Sequence, residues 1–135
     1  MFTFGREHEK ACAAQYVKGG KNVLLVGRMT DAVHDLLEQK ITLSELRKAL
    51  REAFVYGGSG VWEQAATWLR RLGKEHPDLL SLWLELSQHR RATVRFRIAC
   101  CLQEIVPELV KPISSNLLLD TAKKVREMTI GKIQT

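Results

Sequence analysis

Apolar positions recur at three- and four-residue steps along almost the whole chain, the spacing of a helix face rather than the alternation of a strand. Val26, Met29, Val33, Leu36 and Leu37 step by 3, 4, 3 and 1, and Leu43, Leu46, Leu50 and Phe54 form a second stripe. Ahead of that stripe, Thr42-Leu43-Ser44-Glu45 has the spacing of a capping box, in which Thr42 and Glu45 satisfy each other's end-of-helix amides. The stretch "REHEKACAAQYVKGG" reads as an alanine-rich helix that stops at Gly19 and Gly20, residues suited to a left-handed C-terminal cap. The piece "NVLLVG" is short enough for a strand before a glycine turn. It has one glycine where a dinucleotide-binding fingerprint needs three, and no parallel strand follows, so helix is the better reading. "GGSG" (57–60) is expected to be a flexible break and a subdomain boundary.

Beyond it the apolar segments are "VWEQAATWLRRLGKEH", "PDLLSLWLELSQHR", "ATVRFRIACCLQEIVPELV" and "SSNLLLDTAKKVREMTIGKIQ". Pro77 suits a first helical turn, Pro107 is expected to end or kink a helix, and Pro112 to lie in a connector. The expectation is an all-α chain of about seven helices.

These later segments repeat. Val61, Ala66, Leu69 and Leu72 lie at +0, +5, +8 and +11, and Val94, Ala99, Leu102 and Ile105 reproduce those intervals. Val125, Ile130 and Ile133 reproduce the first two, with starts 33 and then 31 residues apart. The second and third are each preceded by a further apolar helix, in "SLWLELSQ" and "SNLLLDTA". Helix pairs recurring at this distance mark an α-solenoid. "TVRFRIACCLQEIV" and "KKVREMTIGKI" resemble the second helix of HEAT repeats, in which Val-Arg opens the helix and Ala and Leu follow at fixed steps. The resemblance covers residues 61–135, with 6–56 adding helices without a repeat signature.

That resemblance implies a short right-handed α-solenoid, as one domain over 1–135. It also implies that an aspartate in the turn pairs with the arginine after the valine, so Asp120 would serve Arg126. No acid precedes Val94, where the chain reads "QHRRAT", and position 62 is Trp rather than Arg. The units are also shorter than the family's period of about 40 residues. In such a unit Val94, Ile98, Cys101, Leu102 and Ile105 would face neighbouring helices, while Arg97 and Gln103 face water. Arg95 has two readings: a structural arginine bonded to a preceding helix end, or an exposed contact.

Composition narrows the class without naming it. The 135 residues are 45% hydrophobic and 27% charged, ordinary for one soluble globular domain. No apolar run approaches the ~20 residues that cross a bilayer. "MFTFGREHEK" turns polar at once, unlike a signal peptide, which leads us to expect a cytoplasmic protein with no membrane partner. Cys12, Cys100 and Cys101 cannot all pair, and adjacent helical cysteines cannot bridge, so small packing residues are expected. His8, His34, His76 and His89 are scattered without metal-ligand spacing, so no metal site and no cofactor are expected. Cys100 with His89 is the nearest approach to a nucleophile and base, and nothing else suggests activation. Acid pairs such as Glu7/Glu9 and Asp31/Asp35 read as solvated faces. No catalytic residue is assigned, and the chain is not expected to be an enzyme.

Net charge does alter the picture. It is +6, and residues 61–135 carry 12 basic against 8 acidic side chains. Arg70, Arg71 and Lys74, then Arg90, Arg91, Arg95 and Arg97, then Lys123, Lys124 and Arg126 fall near corresponding positions of successive units. In a solenoid, equivalent positions come to one side, so the three groups are expected to form one basic strip. Trp62, at a helix start, joins them as a candidate contact, whereas Trp83 in "LLSLWLEL" is expected in the core.

Two functions fit such a strip. One is a non-catalytic protein-binding module. Small stand-alone helical proteins of this form resemble immunity proteins that bind and block a bacterial toxin, here a toxin domain with an acidic surface. The other is a nucleic-acid-binding HEAT-like protein whose basic concave face meets phosphates and whose affinity falls with salt. No helix-turn-helix, zinc finger or aromatic platform supports the second.

Overall fold

A computed structural model describes residues 5–134. Among them the chain is all-helical, with no strand and eight α-helices. The helices are α1 (Arg6–Ala14), α2 (Gly20–Leu37), α3 (Leu43–Tyr56), α4 (Val61–Gly73), α5 (Ser81–Ser87), α6 (Ala92–Cys100), α7 (Pro107–Leu117) and α8 (Lys123–Gln134). Short 3₁₀ turns at Pro77–Leu80 and Leu102–Glu104 lead into α5 and out of α6. The chain forms two compact units, residues up to Ala65 and residues from Ala66, and the division falls inside α4.

The count exceeds seven because "ATVRFRIACCLQEIVPELV" is two helices. α6 ends at Cys100, Val106 is extended (ψ 137°) ahead of a proline, and Pro107 opens α7 at its first position. A residue before proline avoids the helical region, while proline's fixed φ suits a first turn. Pro107 therefore starts a helix instead of ending one. Pro112 lies inside α7, not in a connector. It is solvent-exposed, so water can serve the carbonyl one turn back that its missing N–H leaves unbonded.

In the first unit, α1 and α3 both pack on α2. Val26, Met29, Val33, Leu46, Leu50 and Phe54 are fully buried, so the two expected stripes supply the core, while Leu37 remains 38% exposed. The capping box at Thr42 forms, with Glu45 N–H donating to Thr42 Oγ1 at 3.2 Å and Thr42 N–H to Glu45 Oε1 at 3.3 Å. α1 stops at Ala14, and Gly19, at φ +90°, caps the start of α2 rather than the end of α1. "GGSG" is pinned. Gly58 N–H donates to Asn22 Oδ1 at 2.9 Å, Gly60 N–H to Glu63 Oε1 at 2.7 Å, and Gly60 adopts φ +89° beside the Tyr16 carbonyl.

In the second unit, α5 packs on α6 and α7 on α8. α5 also lies against α7, and α6 along α8. Trp83, Leu82, Leu86, Val94, Ile98, Ile113, Leu117 and Val125 fill its centre at 1% exposure or less. Val94, Ile98, Cys101, Leu102 and Ile105 are all buried, as the quoted spacing requires. The third repeat is buried only at its start: Val125 is covered, but Ile130 and Ile133 stand 45% and 51% exposed. Buried hydroxyls are satisfied by back-bonding within their own helices, as Thr129 Oγ1 donates to Val125 O at 2.7 Å.

Candidate interaction surface

α6 and α8 run side by side, and the turn before α8 meets the first turn of α6. Arg95 Nε donates to Asp120 Oδ2 at 2.7 Å and its Nη2 to Oδ1 at 3.1 Å, a forked contact. The third face of the guanidinium, Nη1, donates to the carbonyls of His89 at 2.8 Å and Arg90 at 3.0 Å, the chain just past α5. Asp120 also accepts the Ala122 N–H at 2.9 Å, and its own carbonyl accepts from Arg126 Nη1 at 2.7 Å. The expected pairing of Asp120 with Arg126 is thus met through the backbone oxygen, while the carboxylate goes to Arg95. The side chains of Arg95 and Asp120 are only 15% and 8% exposed. The Arg95 hydrogen bond holds the Asp120 carboxyl below its ordinary pKa, against the opposing effect of burial and with help from the Ala122 N–H. Arg95 is therefore structural, the first of its two readings, and leaves the list of contact residues.

Four cationic side chains crowd this knot. Arg90, Arg91, Lys123 and Lys124 are all exposed. Lys124 Nζ lies 5.5 Å from the Phe96 ring centre, and Lys123 reaches Glu127 at 3.6 Å. Neither α6 nor α8 carries an acid in its first turn, where the helix dipole favours one. Two adjacent positive helix ends are thus lined with further positive charge. Arg126 is half-buried on the Asp120 carbonyl, and Arg97 half-buried in the last turn of α6.

The expected strip is not continuous. Arg70 pairs with Glu104, which follows the C-terminal end of α6. Arg90, Arg91 and Arg95 sit at the N-terminal end, a helix of nine residues away, or about 13 Å at 1.5 Å per residue. Arg71 lies over Trp68 at 5.8 Å and Lys74 is exposed, both near Arg70 at the end of α4. The second unit therefore carries two cationic patches at opposite ends of α6. Trp62 is half-buried and belongs to the first unit; Trp83 is fully buried.

Other candidate chemistry is dispersed. Cys100 closes α6 while His89 precedes it, and His89 Nδ1 accepts the Arg91 N–H at 3.0 Å. Cys12 Sγ lies 3.4 Å from His8 Nε2 on the exposed side of α1. Among the described residues no group of three or more His, Cys, Asp or Glu side chains is arranged to hold a metal ion, and no helix is long and apolar enough to cross a membrane.

Asp31 and Asp35, expected as a solvated face, are half-buried and belong to an ion-pair cluster whose cations the sequence reading missed. Arg6 reaches Asp35 at 2.6 Å, Glu38 at 3.0 Å and Asp31 at 3.5 Å, and Lys10 reaches Asp31 at 3.1 Å. The acids stand at i, i+4 and i+7 along α2 and its C-cap Glu38, a spacing that announces one charged face; its partner on α1 had no local signal.

Against protein-family models, curated proteins and solved structures, the chain shows no match. The description that stands is an all-helical protein whose second unit bears a group of exposed cationic side chains at the N-terminal ends of α6 and α8.

Proposed function

We propose that the chain is a non-catalytic, HEAT-like helical-repeat module that binds an acidic protein surface, in the manner of an immunity protein that blocks a cognate bacterial toxin. The observation that carries this reading is the cationic edge at the N-terminal ends of α6 and α8. Arg90, Arg91, Lys123 and Lys124 crowd two positive helix ends, an arrangement that costs folding stability and favours an anionic partner. The repeat reading is supported by the α5–α6 and α7–α8 hairpins lying helix on equivalent helix. Occlusion by such a surface needs charge and shape but no catalytic group.

Nucleic acid would meet the same cations, but the aromatic groups do not favour it: Trp83 is buried, and Lys124 lies over Phe96. The test is co-purification with the product of the adjoining reading frame, beside binding to duplex DNA at low and moderate salt. Replacing Arg90, Arg91, Lys123 and Lys124 with Ser should abolish protein capture while the helical circular dichroism is unchanged. Capture that survives the replacement, or binding to DNA alone, would sink the proposal.

A further inference from the structure

The opposite ends of α6 and α8 form a surface of another kind. Two open grooves, ≈ 290 Å³ and ≈ 570 Å³, share a wall made by Gln103, Ile105 and Pro107. The smaller is lined by apolar Leu80 and Val106 and by basic Arg70 and Lys74. The larger is lined by apolar Leu102, Val110 and Ile133 and by basic Lys111 and Lys132. Glu104 lines the smaller groove and is engaged by Arg70; no acid lines the larger. Ile133, at 51% exposure, is one of the two apolar residues of the Val125, Ile130, Ile133 series that stay uncovered.

We propose that this double groove docks an amphipathic helix of a partner protein, one that inserts two neighbouring apolar side chains and flanks them with carboxylates. Three features select that occupant. Both grooves are open to solvent along one side, so they can take side chains projecting from a larger body. No strand edge exists among the described residues to pair an extended peptide. The partner must satisfy its own backbone, which a helix does, and a helix sets apolar side chains side by side at i and i+3 or i+4. Both linings carry basic side chains, so a second copy presenting the same face would bring Lys111 and Lys132 against like charge. The surface lies a full helix length from Arg90 and Lys124, and the proposal stands independently of the cationic edge.

The experiment uses the full chain and a labelled, staple-constrained helical peptide with Leu at i, i+3, i+4 and i+7 and Glu at the flanking positions. Its twin carries Lys in place of Glu. In fluorescence anisotropy the Glu peptide should bind about tenfold or more tighter than the Lys twin, the factor that 1.4 kcal/mol of discrimination gives. Ile133→Asp should abolish binding, and K111E with K132E should invert the preference between the twins. Ile133 is exposed, so the variant should keep its helical circular dichroism, and amide shifts on titration should centre on Leu102, Ile105, Val110 and Ile133. Three results overturn the proposal: equal affinity for both twins, no binding by either, or sedimentation showing a dimer that Ile133→Asp dissociates. The last would assign the face to a second copy.

Discussion

Arg95 and Asp120 join the two helix pairs of the second unit through a forked contact of 2.7 and 3.1 Å, with both side chains largely out of solvent. Every face of the guanidinium is used, since its remaining nitrogen donates to the His89 and Arg90 carbonyls. Lysine has one ammonium and cannot reproduce that fork. Arg95→Lys should therefore cost about 1–2 kcal/mol, and Asp120→Ala about 2–3 kcal/mol by stranding the arginine. Urea midpoints at neutral pH measure both. Losses below half a kcal/mol would show that the pair is ornamental.

Acid should weaken the same contact. The Arg95 hydrogen bond holds Asp120 below its ordinary pKa in the folded chain, against about 3.9 unfolded. A carboxyl depressed on folding adds stability above its unfolded pKa and loses it as pH falls through the folded one. The stability gap between wild type and Asp120→Asn should be constant from pH 7 to about 5 and shrink below about 4. A gap still undiminished at pH 2 contradicts the assignment.

The knot shows where sequence reading stops. Helix periodicity is local, so the buried stripes on α2 and α3, the Thr42 cap and the core position of Trp83 were legible before any coordinates. The choice of Arg95 over Arg126 by the Asp120 carboxylate depends on how α6 lies against α8, which no interval within one helix records. The basic strip failed for the same reason. Matching intervals lead us to expect Arg70 and Arg90 on one side, but Arg70 lies in the last turn of α4 and Arg90 precedes α6, so they emerge at opposite ends of α6. Pro112 misled differently: a solvent-facing turn tolerates the proline that a buried one would reject.

α1 contributes no fully buried residue to the first unit, and Arg6 and Lys10 tie it to Asp31, Asp35 and Glu38 of α2. Ion pairs this exposed are screened by salt, unlike apolar burial. Amide exchange in α1 should accelerate in 1 M salt or in Arg6→Gln, while the amides of α3 around Leu50 stay protected. Equal protection of α1 at low and high salt would mean that packing alone holds the helix.

Two glycines should respond to alanine in opposite directions. Gly60 sits at φ +89°, and a Cβ there would strike the Tyr16 carbonyl oxygen, so Gly60→Ala should destabilise by about 1–3 kcal/mol. Gly131 lies within α8, and a Cβ there meets nothing. Gly131→Ala should stabilise by about 0.5–1 kcal/mol through helix propensity. Thermal melts of the two variants decide the matter.

The cationic edge yields a prediction that separates a surface kept for binding from one that is merely solvated. Arg91 caps α6 and Lys123 opens α8, so each places positive charge where the helix dipole is already positive. Arg91→Asp should raise stability by about 0.5 kcal/mol at low salt, with the gain fading as salt is added, while Lys123→Glu should gain less because it gives up the Glu127 pair. The same changes should shorten retention on an anionic matrix such as heparin more than Arg70→Gln does, because Arg70 is already engaged by Glu104. Stability gained together with anion affinity lost is the signature of a functional surface maintained against folding. Variants no more stable than wild type would show that these helix ends carry no strain, and the argument for an acidic partner would lose its physical basis.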